Sequence, residues 1–540
     1  MAVSSRENPG AFDGAPRARC ALVSRTLRRS SEIALYAFAA AVTLVSVARP
    51  FVAVRYPAMT DLPFHAASAS AIRHFWDPAF HFSDQFELHP LEVPYLSSYV
   101  LMALLMLFMP ALAATKVTSV VMLLMLPLGL GTLSWGMRKS PLAGLACLPL
   151  VWGSLTHWGF VNFVAAIGLL AASIGLSLRV VDRPSRAARI ALACVLVLLF
   201  FTHVFRLPFA FVGVAATTAV MFPVTRRLRP VLLPLLPSSA LLAIFLALRP
   251  PALRGESIEL APHGGRLRDF FGYVVGSFRD PQEVVLAERH LWVLALVAMV
   301  GVVAHRFLER DERPAHERRF QRRATVAVAL SVGLALFAFL TLPMEIGTWW
   351  YVFPREATTV SFLALALLPD LPRARWLRGG VSMLFAISSL AVTSLVTRNW
   401  ETFDTATEDF ARISAEVPAA PKLCYLIFDH GGSTLKSTAF IHLPAYIQAD
   451  RGGWLSFHFA SFGASPLRYR SDPAAIVPPA VPHRWEWTPK RFRVEEHGPF
   501  FDTFLVRNSG NPSRLFLTDP SIQLVAHDGS WWLFRRFEGP

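Results

Sequence analysis

Long apolar runs recur along the chain, at about 33–54, 94–114, 117–136, 141–156, 159–178, 190–205, 207–224, 231–248, 290–304, 324–343, 356–369 and 380–397. A helix that crosses the hydrocarbon core of a bilayer needs about 20 residues, with a floor near 17. The longer runs predict membrane-spanning helices. The shorter ones must borrow flanking aromatics or belong to broken helices, which membranes tolerate where they face protein or a cavity. A membrane β-barrel does not fit, because its strands alternate apolar and polar residues over about 10 positions. The run at 33–54 is too long and too far from the start for a cleaved signal, and no small-residue cleavage site follows it. It predicts a retained first span.

The polar segments between these runs sort by charge. Residues 179–189 (RVVDRPSRAAR), 225–229 (TRRLR), 305–323 (HRFLERDERPAHERRFQRR) and 370–378 (DLPRARWLR) are strongly basic, and such loops stay on the cytoplasmic side. That puts 157–158, 203–206, 249–289 and 344–355 outside, together with 398–540. The segment 55–93 carries two Arg against five acids, a net charge of 2 − 5 = −3, and also belongs outside. Arg138 and Lys139 fall inside. Between 93 and 138 the chain must then cross an odd number of times, although two apolar runs lie there, interrupted by Pro110 and Pro127. The charge bias outweighs the count of runs, so the expected total is odd, 11 or 13 spans.

Both ends differ from this pattern. Residues 1–32 are polar, with six Arg against three acids, and predict a disordered basic cytoplasmic tail. After the last run the chain reads as soluble. Residues 401–415 predict a helix, and 422–428, 438–447, 454–460, 500–506 and 521–537 predict strands between Gly, Pro and Asp turns. The Pro-rich 466–490 reads as irregular. The fold class is therefore a polytopic α-helical membrane protein with 11–13 transmembrane helices and a C-terminal α/β extracytoplasmic domain. Its parts are the tail 1–32, a transmembrane domain 33–397 with a first outer loop 55–93, and the outer domain 398–540.

Composition agrees. Of the 540 residues, 54% are hydrophobic and 16% charged, with a mean hydropathy of +0.44. Soluble proteins carry about 25% charged residues, so an ordinary soluble enzyme is excluded. The net charge of +15 comes from 52 Lys and Arg against 37 Asp and Glu. Cationic cytoplasmic loops account for it without a nucleic-acid partner. The four cysteines show no CxxC or metal-ligand spacing, so neither a disulfide framework nor a zinc site is read from them.

The sharpest chemical feature is MTDLPFHAASASAIR (59–73), directly after the first span. Asp61 lies at the expected membrane surface, before a helix-like run whose first turn suits Pro63. It reads either as a helix cap or as a carboxylate that deprotonates an acceptor hydroxyl. His65 lies four residues on. Asp77, His81, Asp84, Glu87 and His89 follow without a specific metal spacing and read as a solvated loop. Other polar residues fall at the outer ends of spans, where ionisable groups usually face a cavity. They are His157 and Asn162, His203 and Arg206, and Glu345, Trp349, Trp350, Tyr351 and Arg355. The Trp-Trp-Tyr cluster suits an interfacial aromatic belt. The two arginines either snorkel or grip phosphate with a planar fork. In the C-terminal region, Gly431 and Gly432 follow a strand without Walker spacing and read as an ordinary loop. His442 and His458 read as packed strand residues.

A retained first span, an acidic first outer loop with an Asp at its start, eleven or more spans and an outer α/β domain resemble the integral-membrane glycosyltransferases of the GT-C superfamily. The segment TDLPFHAASASAIR is similar in style to the first outer loop of bacterial members with the protein-mannosyltransferase type of fold. The family often has a pair of acids at this place, whereas Thr60 and Leu62 flank Asp61 here. The resemblance implies inverting transfer of a sugar from a polyprenyl-phosphate donor to an envelope glycan, lipid or protein acceptor. It implies Asp61 as the base. His65, His203, Arg206, Glu345 and Arg355 are then expected to bind substrate, with no cofactor and no metal. The partners are the lipid-linked sugar and the bilayer of the inner membrane. The rival readings are an envelope-lipid transporter, for which no internal repeat is visible, and a non-catalytic scaffold.

Overall fold

The computed structural model describes residues 15–90, 95–248, 260–309, 314–347, 349–462, 465–482 and 484–537, of which 15–29 are described by backbone alone. Glu92, parts of the 249–289 and 305–323 loops, and the first fourteen residues of the expected tail lie outside the described residues. From Ala15 the chain is helical and continuous with the first span, as one helix Ala15–Ala53. A disordered segment was expected to residue 32. The stretch is rich in Arg, Ala and Leu, which favour helix, and extending a helix that already exists carries no nucleation cost.

Eight described helices are long and apolar enough to cross a membrane: the Ser30–Ala53 part of the first helix, Ala111–Gly136, Val161–Asp182, Val204–Thr225, Arg229–Leu248, Gln282–Leu308, Ala315–Thr341 and Arg375–Thr405. The other apolar runs form shorter elements. These are Leu96–Leu105, a 3-10 helix Pro141–Trp152, Arg186–Thr202 and Pro354–Ala364. At about 1.5 Å per residue a ten-residue helix covers roughly half of a 30 Å hydrocarbon core. The difficulty between 93 and 138 resolves accordingly. Leu96–Leu105 is a short helix that ends before Pro110, and Ala111–Gly136 is the single full-length helix in that interval.

At the centre lies Val161–Asp182, in whose most apolar 18-residue stretch 94% of the residues are buried. It meets Ala111–Gly136 so closely that a Cβ on Gly129 would stand 2.1 Å from the Gly168 carbonyl oxygen, and one on Gly136 would stand 2.2 Å from that of Gly175. Each helix repeats its glycine after seven residues. The two backbones therefore touch along one seam, the small-residue packing that membrane helices use in place of a hydrophobic drive.

Loops of like charge gather at the same end of the bundle. At the basic end, Arg138 pairs with Asp182 at 2.6 Å and with Glu317 at 3.4 Å. Lys139 donates to the carbonyls of Ala366 and Leu368, Arg227 to that of Asp182, and Arg323 to that of Val220. At the opposite end, the backbone N–H groups of Arg55 and Tyr56 donate to Asp404 at 2.9 Å, joining the exits of the first and last long helices. The turn at 277–279 bonds to Thr434 and Lys436 of the C-terminal region at this same end.

That region holds a five-stranded sheet in the order Trp454–Leu455, Lys422–Ile427, Thr503–Arg507, Trp531–Arg536, Ile522–Asp528. The first three strands are parallel, and the last two form a hairpin turned at Gly529. Every residue of Thr503–Arg507 is buried, as expected of a strand covered on both faces. A second ladder pairs Phe86–Leu88 of the first outer loop with Leu467–Tyr469, inside the segment expected to be irregular. It ties that loop to the C-terminal region. The stretch 438–447, expected to be a strand, forms turns and enters the helix Ala445–Arg451 instead. Pro444 cannot donate to a ladder and suits a helix start.

Candidate functional site

The first outer loop is pinned from below by its backbone. Thr60 N–H donates to the His157 carbonyl and Asp61 N–H to the Trp158 carbonyl, both at 3.0 Å. Gly159, at φ +93°, allows this approach, since a Cβ there would stand 2.8 Å from Asp61 N and 3.0 Å from Asp61 Cβ. Asp61 occupies the position before the helix Leu62–Arg73, and its carbonyl accepts from the N–H groups of Phe64 and His65. Its side chain makes no capping hydrogen bond. The capping reading therefore fails. Oδ1 stands 3.5 Å from Nε2 of His442, a residue of the C-terminal region. The Asp61 side chain is 18% exposed. Burial pushes its carboxyl up to about 7, against the pull of the Arg355 charge and with a smaller push from Glu486. Around neutral pH such a group can take a proton and release it again.

His65 lies one turn along. Its Nδ1 shares a 2.9 Å hydrogen bond with the Tyr99 hydroxyl, and burial lowers it to about 4, so the ring is neutral. His203 is buried between Tyr95 and Phe163, with ring centroids 4.9 and 5.1 Å away, and its Nδ1 has no partner. Burial and the charges of Arg355 and Arg206 keep it neutral as well.

The two arginines differ. Arg206, expected to grip phosphate, has both terminal nitrogens on the carboxylate of Glu356, Nη1 at 2.8 Å, and lies over the Phe163 and Phe209 rings. The two side chains are 3% and 2% exposed. Its fork is already filled, because a charge at this depth is stable only when paired. Arg355 has no carboxylate within ion-pair distance among the described residues. It donates to its own turn, from Nε to the Tyr351 carbonyl and from Nη2 to that of Trp350, and stacks 4.1 Å above Phe160. That leaves Nη1 of a half-buried guanidinium uncommitted in the electrostatic field of Asp61. Glu345, also expected to bind substrate, is half exposed at the rim and pairs with Arg484 at 3.2 Å.

Sequence reasoning missed Glu356, Tyr95, Tyr99 and His442 as members of this cluster. Glu356 had a signal, as an acid opening an apolar run that requires a cation at depth. Nothing in the sequence announces His442, which lies 381 positions from Asp61. Outside the cluster, His81 pairs with Asp84 at 2.7 Å and His89 with Glu87 at 3.0 Å, both on the loop's surface. Among the described residues no three His, Cys, Asp or Glu side chains are grouped to hold a metal ion. The Gly431–Gly432 turn wraps carbonyls around the Arg507 guanidinium, and Asp429 occupies the Gly431 N–H. It offers a phosphate no free N–H at Gly431.

No family model matches the chain, and no curated protein does. Among solved structures it is similar to ArnT from Cupriavidus metallidurans bound to undecaprenyl phosphate, at 15% identity over 93% of this chain and 97% of that one, with a TM-score of 0.48. The apo state of the same protein gives 14% identity, 94% and 98% coverage and 0.49. The arabinofuranosyltransferase AftD from Mycobacteria gives 15% identity over 93% of this chain and 40% of that one, with a TM-score of 0.39. By its own helices and strands, the chain is a multi-pass α-helical membrane protein with a C-terminal α/β region packed against one end of the bundle.

Proposed function

We propose that the chain is a membrane glycosyltransferase of the GT-C kind, moving a sugar from a polyprenyl-phosphate donor to an envelope glycan, lipid or protein acceptor. The observation that carries this reading is the pairing in one partly buried cluster of a carboxylate that does not cap its helix and an arginine that has no carboxylate. The acceptor hydroxyl gives its proton to Asp61. Its oxygen forms the new bond to the anomeric carbon from the face opposite the phosphate, so the configuration inverts. The bond between the anomeric carbon and the phosphate oxygen breaks, and its electron pair leaves with the lipid phosphate. Arg355 meets that growing negative charge through Nη1. One base and one cation suffice for this balance. The neutral His65 and His203 line the cluster, and the Arg206–Glu356 pair holds the helix ends that frame it.

The positive-inside bias supports an orientation with the basic end in the cytoplasm, and with the first outer loop, the cluster and residues 398–540 outside the inner membrane. A reporter active only outside the membrane should work when fused after residue 397 and stay silent when fused near 313. The reverse pattern would overturn both the orientation and the assigned side of the reaction.

The chemistry is tested by Asp61→Asn, which keeps the size and removes the base. Sugar transfer from polyprenyl-phosphate donors, assayed in membranes with equal amounts of protein, should fall by roughly 10²-fold or more with folding intact. Wild-type transfer in the Asn variant would end the catalytic reading and leave the transporter or scaffold readings ahead.

A further inference from the structure

His442 approaches Asp61 from the C-terminal region, on the turn that leads into Ala445–Arg451. The turn is rigidly seated. Phe440 packs 4.8 Å from Phe403 of the last long helix and 3.6 Å under the Arg507 guanidinium, and Ser70 of the first outer loop donates to the Ala449 carbonyl at 2.7 Å. The His442 ring is 4% exposed and is enclosed by Phe64, Phe457 and Phe459, with centroids 4.6, 6.1 and 5.8 Å away. Its Nδ1 has no hydrogen-bond partner. Its Nε2 stands 3.5 Å from Oδ1 of Asp61, within ion-pair distance but not in a formed hydrogen bond.

These facts fix the state of the ring. An imidazolium would be stranded in an aromatic cage, and burial lowers this histidine to about 3, so the ring carries one proton. A proton on Nδ1 would leave a buried donor with no acceptor, which is the costlier arrangement. The proton therefore sits on Nε2 and faces the carboxylate. At 3.5 Å the contact is loose, and contacts of this kind tighten when a substrate is in place.

We propose that His442 is a positioning residue for the acceptor base, its Nε2–H holding Oδ1 of Asp61 so that Oδ2 is presented to the acceptor hydroxyl. The inference rests on the function proposed above. In the transfer step Oδ2 takes the acceptor proton and the Asp61 carboxylate becomes the acid. His442 keeps its own proton and neither gains nor loses charge. The proton then leaves Asp61 for solvent. The C-terminal region is thereby part of the reaction centre, and the site is incomplete without it.

The test uses the full chain in membranes, with Asp61→Asn, His442→Phe, His442→Gln and the double variant Asp61→Asn/His442→Phe, reading kcat and donor KM for sugar transfer and the thermal midpoint of each protein. Phe suits the aromatic cage and removes the donor. It should lower kcat about ten-fold, the scale of one lost hydrogen bond, with donor KM and thermal midpoint near wild type. Gln restores an N–H and should recover most of that loss. In the double variant, His442→Phe should add nothing to the loss caused by Asp61→Asn, since both act through one carboxylate. Wild-type kcat in His442→Phe with an inactive Asp61→Asn would overturn this inference and leave the proposed function standing. Equal loss in Phe and Gln with a lowered thermal midpoint would make His442 a packing residue and overturn it too. Full activity in Asp61→Asn would remove the proposed function and this inference together.

Discussion

The two ends of the helix bundle handle charge in opposite ways. At the basic end every cation named above is held by a group on another element, whereas Arg355 at the other end holds only carbonyls of its own turn. Arg138 has Asp182 and Glu317, and Lys139, Arg227 and Arg323 each cap carbonyls of neighbouring helices. At the other end Asp61 has a neutral histidine beside it, Arg355 has backbone carbonyls and a phenyl ring, and His65 and His203 are uncharged. Arg206 and Glu356 neutralise each other there, and Glu345 pairs with Arg484. A fold selected for stability alone matches its buried charges, because an unmatched one costs free energy. Charges left unmatched in a partly closed cluster are those a ligand can complete.

That contrast can be broken at several points. The largest expected effect is on stability. Glu356→Gln strands Arg206 as a buried unpaired cation, at a cost of about 3–5 kcal/mol, and should lower the thermal midpoint sharply. If the midpoint is unchanged, the Arg206–Glu356 pair is not what frames the cluster. A smaller effect is expected from Arg355→Lys, which keeps the charge and loses the planar fork. Donor KM should rise by roughly ten-fold with normal membrane insertion. An unchanged KM would make Arg355 a snorkelling residue, like those of the basic end.

The pH dependence sharpens the same contrast. Asp61 must be a carboxylate to accept a proton, and burial raises it to about 7. Transfer should therefore rise as pH increases through that value and fall as the group protonates below it. A rate flat between about pH 5 and 8 would mean that Asp61 keeps an ordinary carboxylate value of about 4 or is not the base. The smallest effect belongs to the basic end. Arg138→Gln loses a pair that is only 17% and 9% exposed but leaves Asp182 near Arg179, 4.0 Å away. A loss of about 1 kcal/mol in stability with unaltered transfer is expected. Reduced transfer there would deny the division of labour between the two ends.

The local sequence determined much of this protein. Apolar run lengths marked the long helices, because a bilayer demands a fixed length of apolar chain whatever packs beside it. Charge sorted the loops into two sets that the fold gathers at opposite ends. The position of Asp61 after the first span and the two arginines at 206 and 355 stood out for the same reason, since polar residues are conspicuous in apolar surroundings. Strand 438–447 was misjudged because apolar content alone does not separate a strand from a buried turn, and Pro444 decided it.

Pairing was decided by the tertiary structure. Arg206 and Arg355 look equivalent as sequence, two cations at span ends, yet a bidentate contact to Glu356, 150 residues away, commits the first and spares the second. Whether Asp61 capped its helix depended on where its side chain turned, which follows from the close approach at Gly159 and the arrival of His442 from the far end of the chain. Run lengths and loop charges follow from local composition acting against a uniform solvent, the bilayer and water. Pairing depends on which distant groups share a few ångströms of low-dielectric space, and only the folded chain sets that.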